Sequence, residues 1–387
     1  MKPIAKLPTP DPIAQQHSDA LLQQIIQTIE QHNNWLSFAD FMQMALYQPG
    51  LGYYSNGLTK IGIGGDFVTA PQISPLFSMA LGNHVADVLQ QIPGGSCLEF
   101  GAGNGQMAVD LLHYLDSIDC LPAHYYIVEA SAYFRDTQKH TLTKKLGHLQ
   151  KKVIWLDKLP ATFSGVIVAN EVCDAMPVHR VQFGEEHIFE QGITITNNQL
   201  QWQLQPLSNP YLTAYCDNIR AYIEQVPYLT EINLHASAWL ATLGKMLTQG
   251  AILLIDYGFS AAEYFHPQRN QGTLRCHYQQ QAHNDPLRLI GLQDITAHVN
   301  FTALAETALA AGLHVAGFQR QADFLLAGNI LELSQSAGSE AFLQLQNAAA
   351  LKRLLLPDQM GEVFKVLSLA KEVTMQRSIV GDLRHRL

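Results

Sequence analysis

Apolar residues along this 387-residue chain change their period several times, and each change predicts a different element. Leu21, Leu22, Ile25, Ile26 and Ile29 recur at helical spacing, after residues 1–17, whose four prolines read as a loose arm. Ser37 with Asp40 three residues on is a helix-start pair. The stripe Phe38, Phe41, Met42, Ala45 and Leu46 then runs until Pro49 stops it. Both stripes read as core packing. Farther along, compact apolar runs at 97–100, 124–128, 153–156, 165–169, 251–255, 314–318 and 364–369 predict strands. Amphipathic stretches at 106–115, 302–311 and 322–355 predict helices. Strands alternating with helices make a parallel sheet with crossover helices, an α/β architecture.

Two stretches interrupt that alternation. The short alternating runs 180–183, 187–191 and 199–205 are separated by Gly184, Gly192 and Asn197-Asn198, a β-meander pattern, and 211–247 reads as helical. Everything between the fourth and fifth strands is then an insertion over the carboxyl edge of the sheet, placed to select a substrate. Glu231 within it could add a further carboxylate, but reads better as an exposed helix residue. Residues 259–300, rich in Gln, His and Asn, form a second excursion. The expected division is 1–92 as arm, helical lobe and glycine-rich loop, 93–180 as the first part of the nucleotide-binding core, 181–250 as insertion, and 251–387 as the rest of the core.

The strand at 97–100 ends in an acid and a glycine turn: Glu99-Phe100-Gly101-Ala102-Gly103-Asn104-Gly105. Gly101, Gly103 and Gly105 admit backbone angles closed to other residues and leave no side chain between chain and ligand. A dinucleotide fingerprint wants a small residue where Gln106 stands, and Glu99 suits the ammonium of a methionine moiety better than a diphosphate. The spacing therefore favours S-adenosylmethionine as cofactor, with a nicotinamide or flavin dinucleotide as rival.

Glu129 closes the second strand about two dozen residues after the last glycine, where a nucleotide-binding sheet puts the carboxylate that accepts ribose hydroxyls; alone it would read as a helix N-terminal charge, and the glycine turn favours the ribose role. Asp157 closes the third. It either meets the adenine side or belongs to a solvated turn with Lys158. The fourth strand runs into Asn170-Glu171-Val172-Cys173-Asp174-Ala175-Met176-Pro177, on the edge where ligands bind. Asn170 offers an amide carbonyl to the donor. Glu171 and Asp174 offer two carboxylates that would hold a cationic acceptor by bidentate hydrogen bonds and take its proton. The plainer alternative is that Asp174 caps a helix and Glu171 pairs with a surface Arg. Tyr257, after the fifth strand, either contacts an acceptor guanidinium or closes the core beside Gly258.

Composition narrows the class. A net charge of −9 without basic runs argues against nucleic-acid binding and suits a cationic protein substrate. Five scattered cysteines and sixteen histidines show no zinc or redox spacing, so no metal is expected. The first thirty residues carry Asp11, Asp19 and Glu30 with no Arg and no apolar signal stretch. That pattern, with reduced thiols, gives a cytoplasmic expectation, and no apolar run is long enough to span a bilayer.

A longer series of motifs goes further. Residues 38–42, 45–49 and 52–54, Gly65-Asp66-Phe67-Val68-Thr69-Ala70-Pro71, the glycine turn, 170–177, Ile255-Asp256-Tyr257-Gly258, Gly272-Thr273-Leu274, 294–299 and 360–366 together resemble the MidA family, in the same order over nearly the whole chain. That family comprises S-adenosylmethionine-dependent methyltransferases and includes the mitochondrial complex I assembly factor that symmetrically dimethylates an arginine of a core subunit. The resemblance implies a seven-stranded Rossmann-like class I methyltransferase sheet with an N-terminal helical lobe and inserted substrate-binding segments. It also implies a protein arginine as acceptor, further donor contacts at Asp66, Thr69 and Pro71, and His298 as proton carrier or substrate contact. The loop from Gly57 to Gly65 would be a mobile segment closing over the donor. Departures from relatives lie at Ala102, Asn104 and Gln106, which leave the backbone cradle intact, and at Cys173 and Asn300, which bear on the acceptor pocket. Two other functions stay open: a donor-binding assembly chaperone without transfer activity, and a small-molecule methyltransferase.

Overall fold

The structure is a computed structural model that describes residues 7–57, 69–336 and 341–387. Asp66 and nearly all of the expected mobile loop lie outside the described residues. The chain forms two compact units. Met1–Phe67, Asp174–Ala236 and Ala262–His298 make the first, and Val68–Cys173, Ser237–Ala261 and Val299–Leu387 the second.

The second unit holds the large sheet. Its strands lie in the order His314–Arg320, Phe364–Lys371, Leu247–Phe259, Phe163–Asn170, Ser96–Phe100, Tyr125–Val128 and Val153–Leu156. The last five run parallel, and Phe364–Lys371 is antiparallel to both neighbours. Runs such as Val166-Ile167-Val168-Ala169 are buried throughout because helices cover both faces of a parallel sheet. Phe77, Leu81 and Val85 of helix Pro75–Leu89, with Leu111, Leu112 and Leu115 of Gln106–Ser117, share one core with Val166, Val168, Leu253 and Ile255. From Ser96–Phe100 the chain steps outward to Val153–Leu156, then returns to the opposite side at Phe163–Asn170. That reversal is a topological switch point, and Phe100 pairs with Ala169 across it.

The first unit packs helices Pro12–Gln31 and Phe38–Tyr47 on a smaller antiparallel sheet, with Leu21, Ile25, Phe38, Phe41, Leu46, Val178 and Ile193 in its core. The expected meander is present as His179–Phe183, Ile188–Thr196 and Gln199–Pro206. Two expectations are corrected. Residues 12–17 are not loose: Asp11 caps the helix by accepting from the N–H of Ile13 and of Ala14 at 2.9 Å, and Pro12 occupies the first turn, where its missing N–H costs nothing. Nor is 211–247 continuous helix, because Tyr228–Ile232 is a strand paired antiparallel with His179–Phe183.

Candidate active site

In the second unit the Ser96–Phe100 strand turns into helix Gln106–Ser117 through Gly101, Gly103 and Gly105, whose φ angles are 62°, 52° and 83°. A Cβ on Gly105 would lie 2.5 Å from Leu142 Cδ1, and one on Gly101 3.2 Å from Val172 Cγ2. The turn is therefore bare backbone at the carboxyl end of its strand. Its fit to a nucleoside-bearing donor rests on that bareness and on its place at the switch point.

Glu99 is only 1 % exposed and accepts from the Tyr125 hydroxyl at 2.7 Å, so its carboxyl is enclosed by the sheet rather than set on the turn. Burial, with the Glu129 charge adding, pushes its pKa up to about 7, against the pull of the Tyr125 bond. Glu129, half-buried at the end of Tyr125–Val128, accepts from the Ser131 N–H at 2.9 Å through Oε1 and from Gln138 Nε2 at 2.8 Å through Oε2. Burial raises its pKa, and those bonds pull it back. Asp157 is well exposed and pairs with Arg135 at 2.5 Å. Thr69 precedes the short helix Ala70–Ile73, in which Pro71 is buried.

The neighbouring strand end carries the chemistry. Asn170 is 9 % exposed, and its Nδ2 donates to Glu171 Oε1 at 3.2 Å. Its Oδ1 is buried without a hydrogen-bond partner among the described residues, an orphaned acceptor of the kind a ligand satisfies. Glu171 takes a left-handed φ of 53° and is held there by its N–H donating to Ile255 O at 2.9 Å. Asp256, which the residues alone do not single out, accepts from the Cys173 N–H and from the Tyr257 N–H, each at 2.9 Å, and so clamps two adjacent strand ends. The Tyr257 ring meets Phe364 edge-on at 5.6 Å.

Asp174 and His298 belong to the first unit. Asp174 is 5 % exposed and its carbonyl accepts from Ala297 N–H. His298 donates its N–H to Thr273 Oγ1 at 3.1 Å, and its Nδ1 lies 3.4 Å from Thr273 O. Tyr54, stacked on Tyr47, donates to Asp294 Oδ1 at 2.8 Å. Burial, then the charge of Asp294 and lesser neighbours including Asp174, raise its phenol pKa. Glu231 is a correction: it is a buried strand residue that accepts from the Thr273 N–H at 2.7 Å and lies 3.6 Å from Arg180 Nε. Arg180 in turn sits 4.6 Å from the Trp202 ring centre.

Residues 80–319 match a family of S-adenosyl-L-methionine-dependent methyltransferases. The chain is similar to the crystal structure of a superfamily member from Burkholderia thailandensis bound to S-adenosyl-homocysteine: 39 % identity, TM-score 0.94, covering 99 % of this chain and 100 % of that one. Among curated proteins it is 26 % identical to the mitochondrial protein arginine methyltransferase NDUFAF7 of Rattus norvegicus, over 96 % of this chain and 88 % of that protein. The Homo sapiens protein of the same name is also 26 % identical, over 88 % and 81 %. These relatives overturn the cytoplasmic expectation. Those curated proteins are named as mitochondrial. The motif series, the sheet with its switch-point glycine turn, and the match across 80–319 agree: the chain belongs to the MidA-like family of S-adenosyl-L-methionine-dependent methyltransferases.

Proposed function

We propose that the chain methylates an arginine side chain of a protein, with the donor held at the glycine turn and the acceptor nitrogen oriented by Glu171. The observation that carries this reading is the Asn170-Glu171 corner. A non-glycine residue held left-handed costs about 1 kcal/mol or more, and such strain gathers where a side chain must be aimed. The orphaned Asn170 carbonyl beside it suits a donor N–H, such as the ammonium of the methionine moiety.

S-adenosylmethionine supplies an electrophilic methyl on its sulfonium. On this reading the backbone of Gly101, Gly103 and Gly105 receives the methionine end, Glu129 accepts the ribose hydroxyls, and Asp157 borders the adenine side. Thr69 and Pro71 complete the proposed donor contacts; Glu99, enclosed by the sheet against Tyr125, is not one of them. Glu171 pairs with the guanidinium and takes the proton that the nitrogen loses as its bond to the methyl carbon forms and the sulfur–carbon bond breaks. Tyr257, in the same unit as Glu171, is assigned to acceptor recognition. The acceptor is proposed to be a core subunit of respiratory complex I or its homologue. The activity for which the curated relatives are named and the chain's net charge of −9 support an arginine-bearing protein.

The test incubates the purified chain with methyl-tritiated S-adenosylmethionine and a proteome extract, then hydrolyses the labelled protein. Methylarginine is expected. Glu171→Gln should lower turnover by about 100-fold or more while S-adenosylhomocysteine affinity stays within about threefold. Label confined to the low-mass fraction would make the chain a small-molecule methyltransferase. Donor binding without any label would make it an assembly chaperone.

A further inference from the structure

We propose that Gln138 is a positioning residue of the donor site, one whose side-chain amide locks Glu129 and the glycine turn into the arrangement that receives the ribose. This rests on reading Glu129 as the ribose acceptor. Gln138 lies in helix Ala132–Lys145, among Asp136, Thr137, Lys139 and His140, yet it is 0 % exposed. All of its near polar contacts are specific. Trp155 donates its indole N–H to Gln138 Oε1 at 3.0 Å. Gln138 Nε2 donates to Gly103 O at 3.0 Å and to Glu129 Oε2 at 2.8 Å.

Donor and acceptor capacity makes this arrangement one-way. An indole N–H only donates, a backbone carbonyl and a carboxylate only accept, and an amide has one end for each. Trp155 therefore fixes which end of Gln138 points where, and both amide hydrogens are committed to the site. Turning the amide over would set N–H against N–H at Trp155 and carbonyl against two acceptors, leaving buried groups unsatisfied. The same helix holds the turn a second time, since Leu142, one turn on, fills the space that a Cβ on Gly105 would need. Glu129 is thereby gripped from both sides, by Ser131 N–H on Oε1 and by Gln138 on Oε2. With the Ala130 N–H also donating to it, the carboxylate, which has about four acceptor sites, keeps one for a ribose hydroxyl. The amide also stabilises the ionised form of a carboxyl that burial would otherwise push toward protonation.

The experiment measures S-adenosylhomocysteine binding by calorimetry on the full chain and its variants, with the thermal midpoint of each ligand-free variant as a check on folding. Gln138→Leu keeps the volume and removes the donors, and should weaken binding about 10- to 100-fold. Trp155→Phe keeps the amide and frees it to turn, and should weaken binding about three- to tenfold. Because Gln138 acts through Glu129, the Gln138→Leu loss should shrink to about threefold or less in a Glu129→Gln background. Simple additivity, or binding by both single variants within about twofold of the parent, overturns the proposal. If Gln138→Leu fails to fold, Trp155→Phe and its cycle with Glu129→Gln decide. A Glu129→Gln variant that binds normally sinks the ribose reading itself, an outcome separate from either result at Gln138.

Discussion

Glu99 is a carboxylic acid built into a parallel strand, and its surroundings set a pH dependence with a definite sign. Its pKa is raised by burial to about 7 from an ordinary 4.5, so between those values the folded chain holds a proton that the unfolded chain has lost. Stability from this group is complete below pH 4.5 and is lost as pH rises through 7. His84 works in the opposite direction. It is enclosed against Phe324 with ring centres 3.8 Å apart, and burial lowers its pKa from 6.5 to about 3. The unfolded chain therefore binds the extra proton between those values, and stability rises with pH there. The two slopes offset each other between pH 4.5 and 6.5. Glu99→Gln keeps an oxygen for the Tyr125 hydroxyl and removes the charge. It should leave stability near pH 4 almost unchanged, add on the order of 3 kcal/mol at pH 8, and expose the rising His84 slope between. Urea denaturation at a series of pH values reads this directly. An unchanged or lowered stability at pH 8 would mean that Glu99 is ionised and satisfied in the folded sheet.

At the scale of elements, the centre of the large sheet is held by backbone packed too tightly for side chains. Gly165 has φ 139°, and a Cβ there would stand 1.9 Å from Ser96 O, on the strand that leads to the glycine turn. Gly165→Ala would strain the backbone and push those two strands apart, for a loss of roughly 3 kcal/mol or more in chemical denaturation. A loss below about 1 kcal/mol would show that the strands separate there at little cost. The sheet as a whole was legible because strands covered on both faces read as unbroken apolar runs, and the expected 153–156 run coincides with Val153–Leu156. Strand ends were less so: 251–255 proves to be Leu247–Phe259, since Gly250 reads as a breaker although it sits inside the ladder. Tyr228–Ile232 carried a strand signal in Tyr, Thr and Ile, but two flanking helical stretches masked it. Likewise 322–355 reads as one helix, whereas Gln321–Ala327 and Ile330–Ser336 are separate ones, parted at Gly328-Asn329. At the candidate site, spacing draws attention to the glycine turn and the acid after the second strand. Gln138 and Trp155 leave no such trace, because a helix glutamine among charged neighbours looks solvated until the fold brings a strand tryptophan to it.

For the molecule as a whole, neither unit is a continuous stretch of chain, since each is assembled from three segments. This matters for the donor site, whose described candidate residues in the second unit all lie between Thr69 and Glu171. A fragment covering 69–173 keeps the glycine turn, Glu129, Gln138, Asn170 and four strands of the large sheet. It lacks Leu247–Phe259, the strand that pairs with Phe163–Asn170 from Leu247↔Phe163 to Ile255↔Asn170. The inner strand would become an edge, with the backbone ladder of Val166, Ile167, Val168 and Ala169 open on one side. Glu171 would lose the Ile255 carbonyl that holds its left-handed turn, and Cys173 N–H would lose Asp256. The fragment should therefore show no cooperative thermal transition, and should bind S-adenosylhomocysteine more than about 100-fold weaker than the full chain in calorimetry. Sequence that precedes residue 174 names the donor contacts, on this argument, but only strands supplied after it hold them in place. A fragment that melts cooperatively and binds within about tenfold of the full chain would refute that dependence and make the segment 69–173 a self-sufficient donor-binding unit.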